Sequence, residues 1–348
     1  MKMEMFQCDY TGGCHPAILD LLKKSNELVQ LGYCEDEFCK KAEKEILKTC
    51  HLSSSLARVF WVASGTMANL VTIDTALSSN EAVLAADSSH IATAEAGAIE
   101  ACGGKILSLN NKLGKISSSQ IDEICEDYYS REEVERSHLS RPAAVYISFP
   151  TEFGTLYSLD ELENISKSCK KYDLIFYIDG ARLAYGLAAS NISLAQIAKV
   201  ADVFYIGGTK CGSLIGEALV VNNSKISKRL LGVLRMRGGL IAKGRLLGCS
   251  FLALFENNLY LSIGERAVKQ AQVISEAFEN AGFPLLVPTM TNQVFPVVDA
   301  STLEKLQKKF KLRVLRKTDD EHYLLRLCTS WSTSENQIQT IVAFLKKI

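Results

Sequence analysis

Seven short runs of β-branched, aromatic and aliphatic residues, each bounded by small residues, set the architecture of this 348-residue chain: 59–62, 82–85, 105–109, 144–148, 174–178, 203–206 and 218–221. Between them lie stretches with apolar residues at helical spacing, such as 66–77, 158–172 and 194–199. The runs are apolar on both faces, so each strand needs helices on either side. Strand and helix in alternation predict an α/β fold on a mostly parallel, doubly wound sheet. From about Gly244 the pattern changes to a long helical stretch, 245–281, interrupted at Asn257-Asn258 and ended by Gly282-Phe283-Pro284. Strand-like 292–298, a helix from Ser301, strand-like 313–317 and 323–329, and a last helix from Ser334 follow. The expected division is a large domain over 1–250, including an N-terminal arm, and a small C-terminal α+β domain over 251–348. The polar, highly charged stretch 127–141 reads as a surface loop or a frayed helix end.

Charge narrows the range of partners. With 39 Lys+Arg against 39 Asp+Glu there is no global basic field to draw nucleic acid or a membrane surface, so a small molecule is the expected partner. Residues 1–10 carry no apolar leader core, and no later stretch reads as the roughly 18 uninterrupted apolar residues of a membrane helix. A soluble, cytoplasmic protein is expected. Eleven cysteines, without C-x-x-C spacing or a matching histidine set, read as reduced thiols and not as a metal site. Cys211 stands apart because it follows Lys210, so its thiol could lie beside a ligand without entering the chemistry.

Ligands of open α/β sheets gather outside the carboxyl ends of the strands, and four such ends carry unusual groups. Ala63-Ser64-Gly65-Thr66 opens a helix with small residues, which suits an anion on free backbone N–H groups, although it also suits a plain N-cap. Ala86-Asp87-Ser88-Ser89-His90 offers an imidazole that could lie on a planar ligand or merely be satisfied in place. In Asp179-Gly180-Ala181-Arg182 a carboxylate leaves an apolar strand and needs a cation, either Arg182 or a protonated ring nitrogen. Finally, Gly207-Gly208-Thr209-Lys210 puts a lysine after a buried strand, where it must be paired, neutral or bound covalently, unless it snorkels to the surface. A phosphate cup, a stacking ring, a carboxylate for a pyridine nitrogen and a lysine able to form a Schiff base are together what pyridoxal 5'-phosphate (PLP) requires.

Over nearly its whole length the chain resembles the threonine aldolases and the related β-eliminating lyases, and within them a low-specificity L-threonine aldolase branch. The resemblance runs through Gln7-Cys8-Asp9-Tyr10, Gly32-Tyr33-Cys34-Glu35-Asp36 and Ser64-Gly65-Thr66-Met67-Ala68-Asn69. It continues through residues 86–95, Asp179-Gly180-Ala181-Arg182-Leu183, Thr209-Lys210 and Leu325-Arg326-Leu327-Cys328-Thr329-Ser330. It implies the type I fold of PLP-dependent transferases. By the same resemblance Gly65 and Thr66 hold the cofactor phosphate, Ser64 and Thr209 also bind the cofactor, His90 stacks on the ring, Asp179 pairs with its nitrogen and Arg182 lies beside its phenolic oxygen. Lys210 forms the Schiff base, while Arg326, Cys8 and Tyr33 are the expected substrate contacts. Arg235, Arg237 and Lys243 fall where relatives send a basic residue to the neighbouring subunit's phosphate, with Arg237 and Lys243 the residues assigned to the cofactor. That implies a homodimer or homotetramer with shared sites. Glu152 stands where many threonine aldolases carry a histidine, and Cys8 where relatives carry a serine; both changes bear on the substrate.

The expected activity is retro-aldol cleavage of a small β-hydroxy-α-amino acid, L-threonine or L-allo-threonine, to glycine and acetaldehyde. His90, Glu152 or a bound water would serve as base. The alternatives are a PLP-dependent β-eliminating lyase acting on another amino acid and a PLP-binding relative without turnover.

Overall fold

The computed structural model describes residues 3–348. All seven runs become strands of one sheet: β1 (Arg58–Val62), β2 (Glu81–Ala86), β3 (Lys105–Leu109), β4 (Arg141–Ser148), β5 (Ile175–Asp179), β6 (Val203–Gly207) and β7 (Glu217–Val221). Their order is β1-β7-β6-β5-β4-β2-β3. β7 runs antiparallel to both its neighbours, whereas the pairs β6-β5, β5-β4, β4-β2 and β2-β3 are parallel. The amino end of β7 therefore lies on the edge where β1 and β6 finish. Alternate residues of the strands feed two apolar cores, one on each face: Val145, Phe176, Ile178 and Phe204 on one side, Tyr146, Tyr177, Val203 and Tyr205 on the other. Helix α1 (Gly65–Ala76) starts where β1 ends, and the Ser64 hydroxyl caps it by accepting the Met67 N–H at 3.2 Å.

The helical stretch after Gly244 is two helices, α2 (Arg245–Phe255) and α3 (Leu259–Asn280), split by Asn257 and Asn258 at φ 54° and 58°. Asparagine tolerates this left-handed backbone better than other side chains. A window of this stretch has mean hydropathy 1.3, so, contrary to the sequence expectation, the chain does hold a segment long and apolar enough by composition alone to cross a bilayer. In the fold the segment is bent, and Leu247, Phe251, Leu254, Ile263 and Ala267 face the main core. Further along α3, Ala271, Ile274 and Phe278 belong to a separate core with Leu325 and Leu327.

That separate core underlies a small antiparallel sheet of β8 (Gln293–Val294), β9 (Val297–Asp299), β10 (Arg313–Lys317) and β11 (His322–Cys328). The strand expected over 292–298 is interrupted at Phe295-Pro296, where proline removes a ladder donor. Glu4–Met5 pairs in parallel with Phe310–Lys311, which ties the N-terminal arm to this unit and leads Asp9 back toward the main sheet.

Candidate active site

A cavity of about 450 Å3 opens at the carboxyl edge of the main sheet. Its wall includes Ser64, Gly65, Thr66, His90, Glu152, Asp179, Arg182, Thr209 and Lys210, so all four strand ends and Glu152 meet in one place. Two glycines make the approach possible. A β-carbon on Gly65 would sit 2.9 Å from the Tyr205 hydroxyl, and one on Gly180 would overlap the Tyr205 carbonyl oxygen.

At one end, buried carboxylates are held by a hydrogen-bond ring. Asp179 Oδ2 accepts from the Tyr146 hydroxyl at 2.6 Å and from Asn69 Nδ2 at 3.1 Å, while its Oδ1 accepts the Ala181 N–H at 2.9 Å. Asn69 Nδ2 also donates to Glu95 Oε1 at 2.6 Å, and Asn69 Oδ1 accepts from the Tyr177 hydroxyl at 2.8 Å. Glu95 Oε1 lies 2.7 Å from His90 Nδ1. The His90 N–H donates to Glu152 Oε1 at 2.9 Å, as does the Ser148 hydroxyl at 2.6 Å. Tyr146 and Ser148 close the circuit at 3.3 Å. Burial, together with the nearby Asp179 charge, raises the Glu152 carboxyl above its ordinary value despite the two donors.

Lys210 sits in the middle. Burial and the Arg182 guanidinium lower its ammonium against the pull of Asp9, Asp179 and Glu217, which favours the free amine. Arg182 is not the partner of Asp179, as the sequence allowed. Its Nε and Nη2 donate to Asp9 at 2.7 and 3.1 Å, because the N-terminal arm brings that carboxylate alongside. Asn292 adds a third donor to Asp9 at 2.9 Å. Burial alone would push Asp9 up, but Arg182 and Lys210 outweigh it and hold it below the usual carboxylate range.

The opposite end is mostly backbone and small side chains, with one surprise. Glu217, at the start of β7, accepts the N–H groups of Gly208 at 2.6 Å and Thr209 at 3.3 Å, and burial pushes its carboxyl up to about 7. Nothing in its local sequence marked it, since only the reversal of β7 carries it to this rim.

Five nominated residues lie off the cavity wall. Arg326 Nη2 lies 3.4 Å from the Gln7 carbonyl, and its Nε is buried without a partner. Cys8 adjoins Tyr10, which does line the cavity. Tyr33 is exposed, with the Arg235 guanidinium 4.4 Å from its ring centre. Arg237 does not reach a phosphate cup in its own chain but pairs with Asp74 of α1 at 2.7 Å. Lys243 lines a separate groove with Gln30 and Arg245. Cys211 belongs to the main apolar core and not to the wall, and burial raises its thiol to about 12.

The cavity fits PLP on its own chemistry. The N-terminus of α1 with Gly65 offers a phosphate cradle, Asp179 a carboxylate for the ring nitrogen, His90 a ring face and Lys210 an amine whose charge burial disfavours, for the aldehyde. Fold and cavity together define a PLP enzyme of fold type I. The likeness to serine palmitoyltransferase of Sphingomonas wittichii, at TM-score 0.74 and 14% identity over 100% of this chain and 87% of that one, is one of fold alone.

The beta-eliminating lyase family model matches residues 32–301, and the chain belongs to that family. It is 27% identical to the low specificity L-threonine aldolase of Pseudomonas sp. (strain NCIMB 10558), over 100% of this chain and 98% of the relative. The corresponding protein of Pseudomonas aeruginosa is also 27% identical, over 88% and 87%. The structure of Leishmania major threonine aldolase superposes with a TM-score of 0.94 at 37% identity, covering 99% of each chain.

Proposed function

We propose that this chain is a PLP-dependent aldehyde-lyase that cleaves L-threonine or L-allo-threonine to glycine and acetaldehyde by retro-aldol chemistry. The observation that carries this reading is the placing of a carboxylate, Glu152, in the same cavity as the Lys210 amine. The named relatives above support the substrate.

Bound PLP supplies a sink for the charge left on the substrate α-carbon when the Cα–Cβ bond breaks. The protein does the rest. Lys210, favoured as the amine, holds the cofactor until substrate takes its place. Asp179, fixed by three donors, would keep a proton on the ring nitrogen, and His90 would supply a face for the ring. Ser64, Gly65, Thr66 and Thr209, which line the cavity, would receive the phosphate, and Arg182 would serve the ring's phenolic oxygen. Arg326, with its buried, unpaired Nε, clamps the substrate carboxylate near Cys8. Glu152 takes the β-hydroxyl proton, since a carboxylate raised above its ordinary value is a stronger base.

Tyr33 and Lys243, which lie off the cavity of their own chain, serve the site of a second copy, in a homodimer or a homotetramer of two such dimers. Arg237 already has a partner in Asp74, which favours Lys243 for that role. The enzyme works in the reducing cytoplasm, a reading consistent with eleven free cysteines. Product analysis of the purified enzyme with L-threonine and L-allo-threonine tests the reaction. Glycine and acetaldehyde are expected; pyruvate or another 2-oxo acid with ammonia, or no turnover by PLP-loaded protein, overturns it.

A further inference from the structure

Glu95 is the one buried carboxylate of the hydrogen-bond ring that the proposed chemistry leaves without work, and its surroundings are unusual. Its side chain is fully buried, while that of His90, 2.7 Å away, is 41% exposed. Glu95 Oε1 faces both His90 Nδ1 and Asn69 Nδ2, and Glu95 Oε2 is buried with no partner at all. A buried carboxylate with one oxygen unsatisfied is costly, so its retention calls for a gain elsewhere.

Asn69 fixes the direction of the pair. Its Oδ1 accepts from Tyr177, so the Nδ2 group faces the two acids and donates one proton to Asp179 and one to Glu95. A single amide thus sets the spacing between the carboxylate under the ring nitrogen and the carboxylate behind the stacking histidine. On the other side of His90 its own N–H is held by Glu152. The imidazole is gripped at backbone and ring by two acids that themselves belong to one closed circuit.

Glu95 Oε1, which already accepts from Asn69, is placed to accept from His90 Nδ1 as well, and that pairing selects the imidazole tautomer with its proton on Nδ1. His90 lines the cavity and its Nδ1 edge is turned to buried Glu95, which leaves the lone pair of Nε2 on the cavity side. We infer that Glu95 is a positioning residue: it holds His90 with its proton on Nδ1 and Nε2 free to accept, and through Asn69 it keeps that imidazole in register with Asp179.

This rests on the proposed PLP chemistry only for the consequence in turnover; the tautomer is a property of the chain itself. The test is nitrogen-15 NMR of histidine-labelled, PLP-loaded enzyme near pH 8, with His90 assigned by loss of its signals in His90→Asn. Wild type should show a protonated Nδ1 and an unprotonated Nε2. Glu95→Gln retains an acceptor for both Nδ1 and Asn69, so it should keep this tautomer and hold kcat within about threefold of wild type. Glu95→Ala should release the tautomer and lower kcat by about tenfold or more, on the order of the loss that follows removal of a buried orienting partner. A proton on Nε2 of wild type, alone or beside one on Nδ1, overturns the inference, and that result needs no variant to fold. So does wild-type kcat in a folded Glu95→Ala variant that has lost the tautomer. Failure to cleave threonine with the expected tautomer in place would instead overturn the proposed reaction and spare the role of Glu95.

Discussion

The two ends of the cavity are built on different principles. Around Asp179 most of the polar groups are held by other side chains, and the partners lie far apart in sequence: Asn69 with Asp179, Tyr146 with Asp179, Asn69 with Glu95. Around Ser64–Thr66 and Thr209 the donors are backbone N–H groups and small hydroxyls, and the only carboxylate, Glu217, is itself held by backbone. A side-chain network fixes orientation, whereas a backbone cup mainly provides space and partial charge. Damage to the first should therefore appear in turnover, and damage to the second in binding and in the pH dependence of stability.

The largest expected effect lies between the ends. Lys210→Ala should reduce turnover to background and abolish the borohydride-reducible PLP adduct, both read on the same preparation; an adduct that persists would move the covalent role to another lysine. At the network end, Asp179→Asn keeps the shape but removes the charge, and kcat should fall on the order of a hundredfold while the melting temperature changes little. Near-normal turnover in the PLP-loaded variant would remove the distinction drawn for that end.

Glu217 should behave differently. Its carboxyl moves from the ordinary 4.5 in the unfolded chain to about 7 in the fold, so the folded state binds the proton more tightly. The stability this contributes is complete below pH 4.5 and disappears as pH rises through 7. Glu217→Gln should thus stabilise the PLP-free enzyme at pH 8, by up to about 3 kcal/mol, and bring no gain near pH 4. Denaturant unfolding at the two pH values measures this, and a gain independent of pH would show that ionisation is not its cause. The smallest effect belongs to Arg237→Ala. Loss of its partly exposed pair with Asp74 should cost about 0.5–1 kcal/mol and leave PLP affinity unaltered. A tenfold weaker affinity would instead give Arg237 the phosphate-binding role read from the sequence.

The same contrast governs what could be read from sequence. The strands were legible because burial on both faces leaves a continuous apolar run, and the cup because Ser64-Gly65-Thr66 opens a helix directly after one. Asp179 and Lys210 stood out as charges at the ends of apolar strands. Asn69, Tyr146 and Glu95 did not, since each is an ordinary residue until distant segments supply its partners. Asp9 was visible within a motif, but its pairing with Arg182 depends on the arm that Glu4–Met5 fastens to Phe310–Lys311. The split strand near Pro296 and the membrane-like hydropathy of 245–280 show local pattern giving way to tertiary context.

The reversed course of β7 has a mechanical consequence. Because this strand enters from the rim where β6 leaves it, Lys210 and Glu217 are carried by one short excursion of the chain, with Gly212 and Gly216 at φ 96° and 81° shaping its bends. The separation of amine and carboxylate is thus set by loop curvature and not by the spacing of strands in the sheet. A β-carbon at Gly216 would meet the Val62 carbonyl and the Leu247 side chain, so even alanine there should bend the excursion and displace both groups together, with the sheet beneath left as it was.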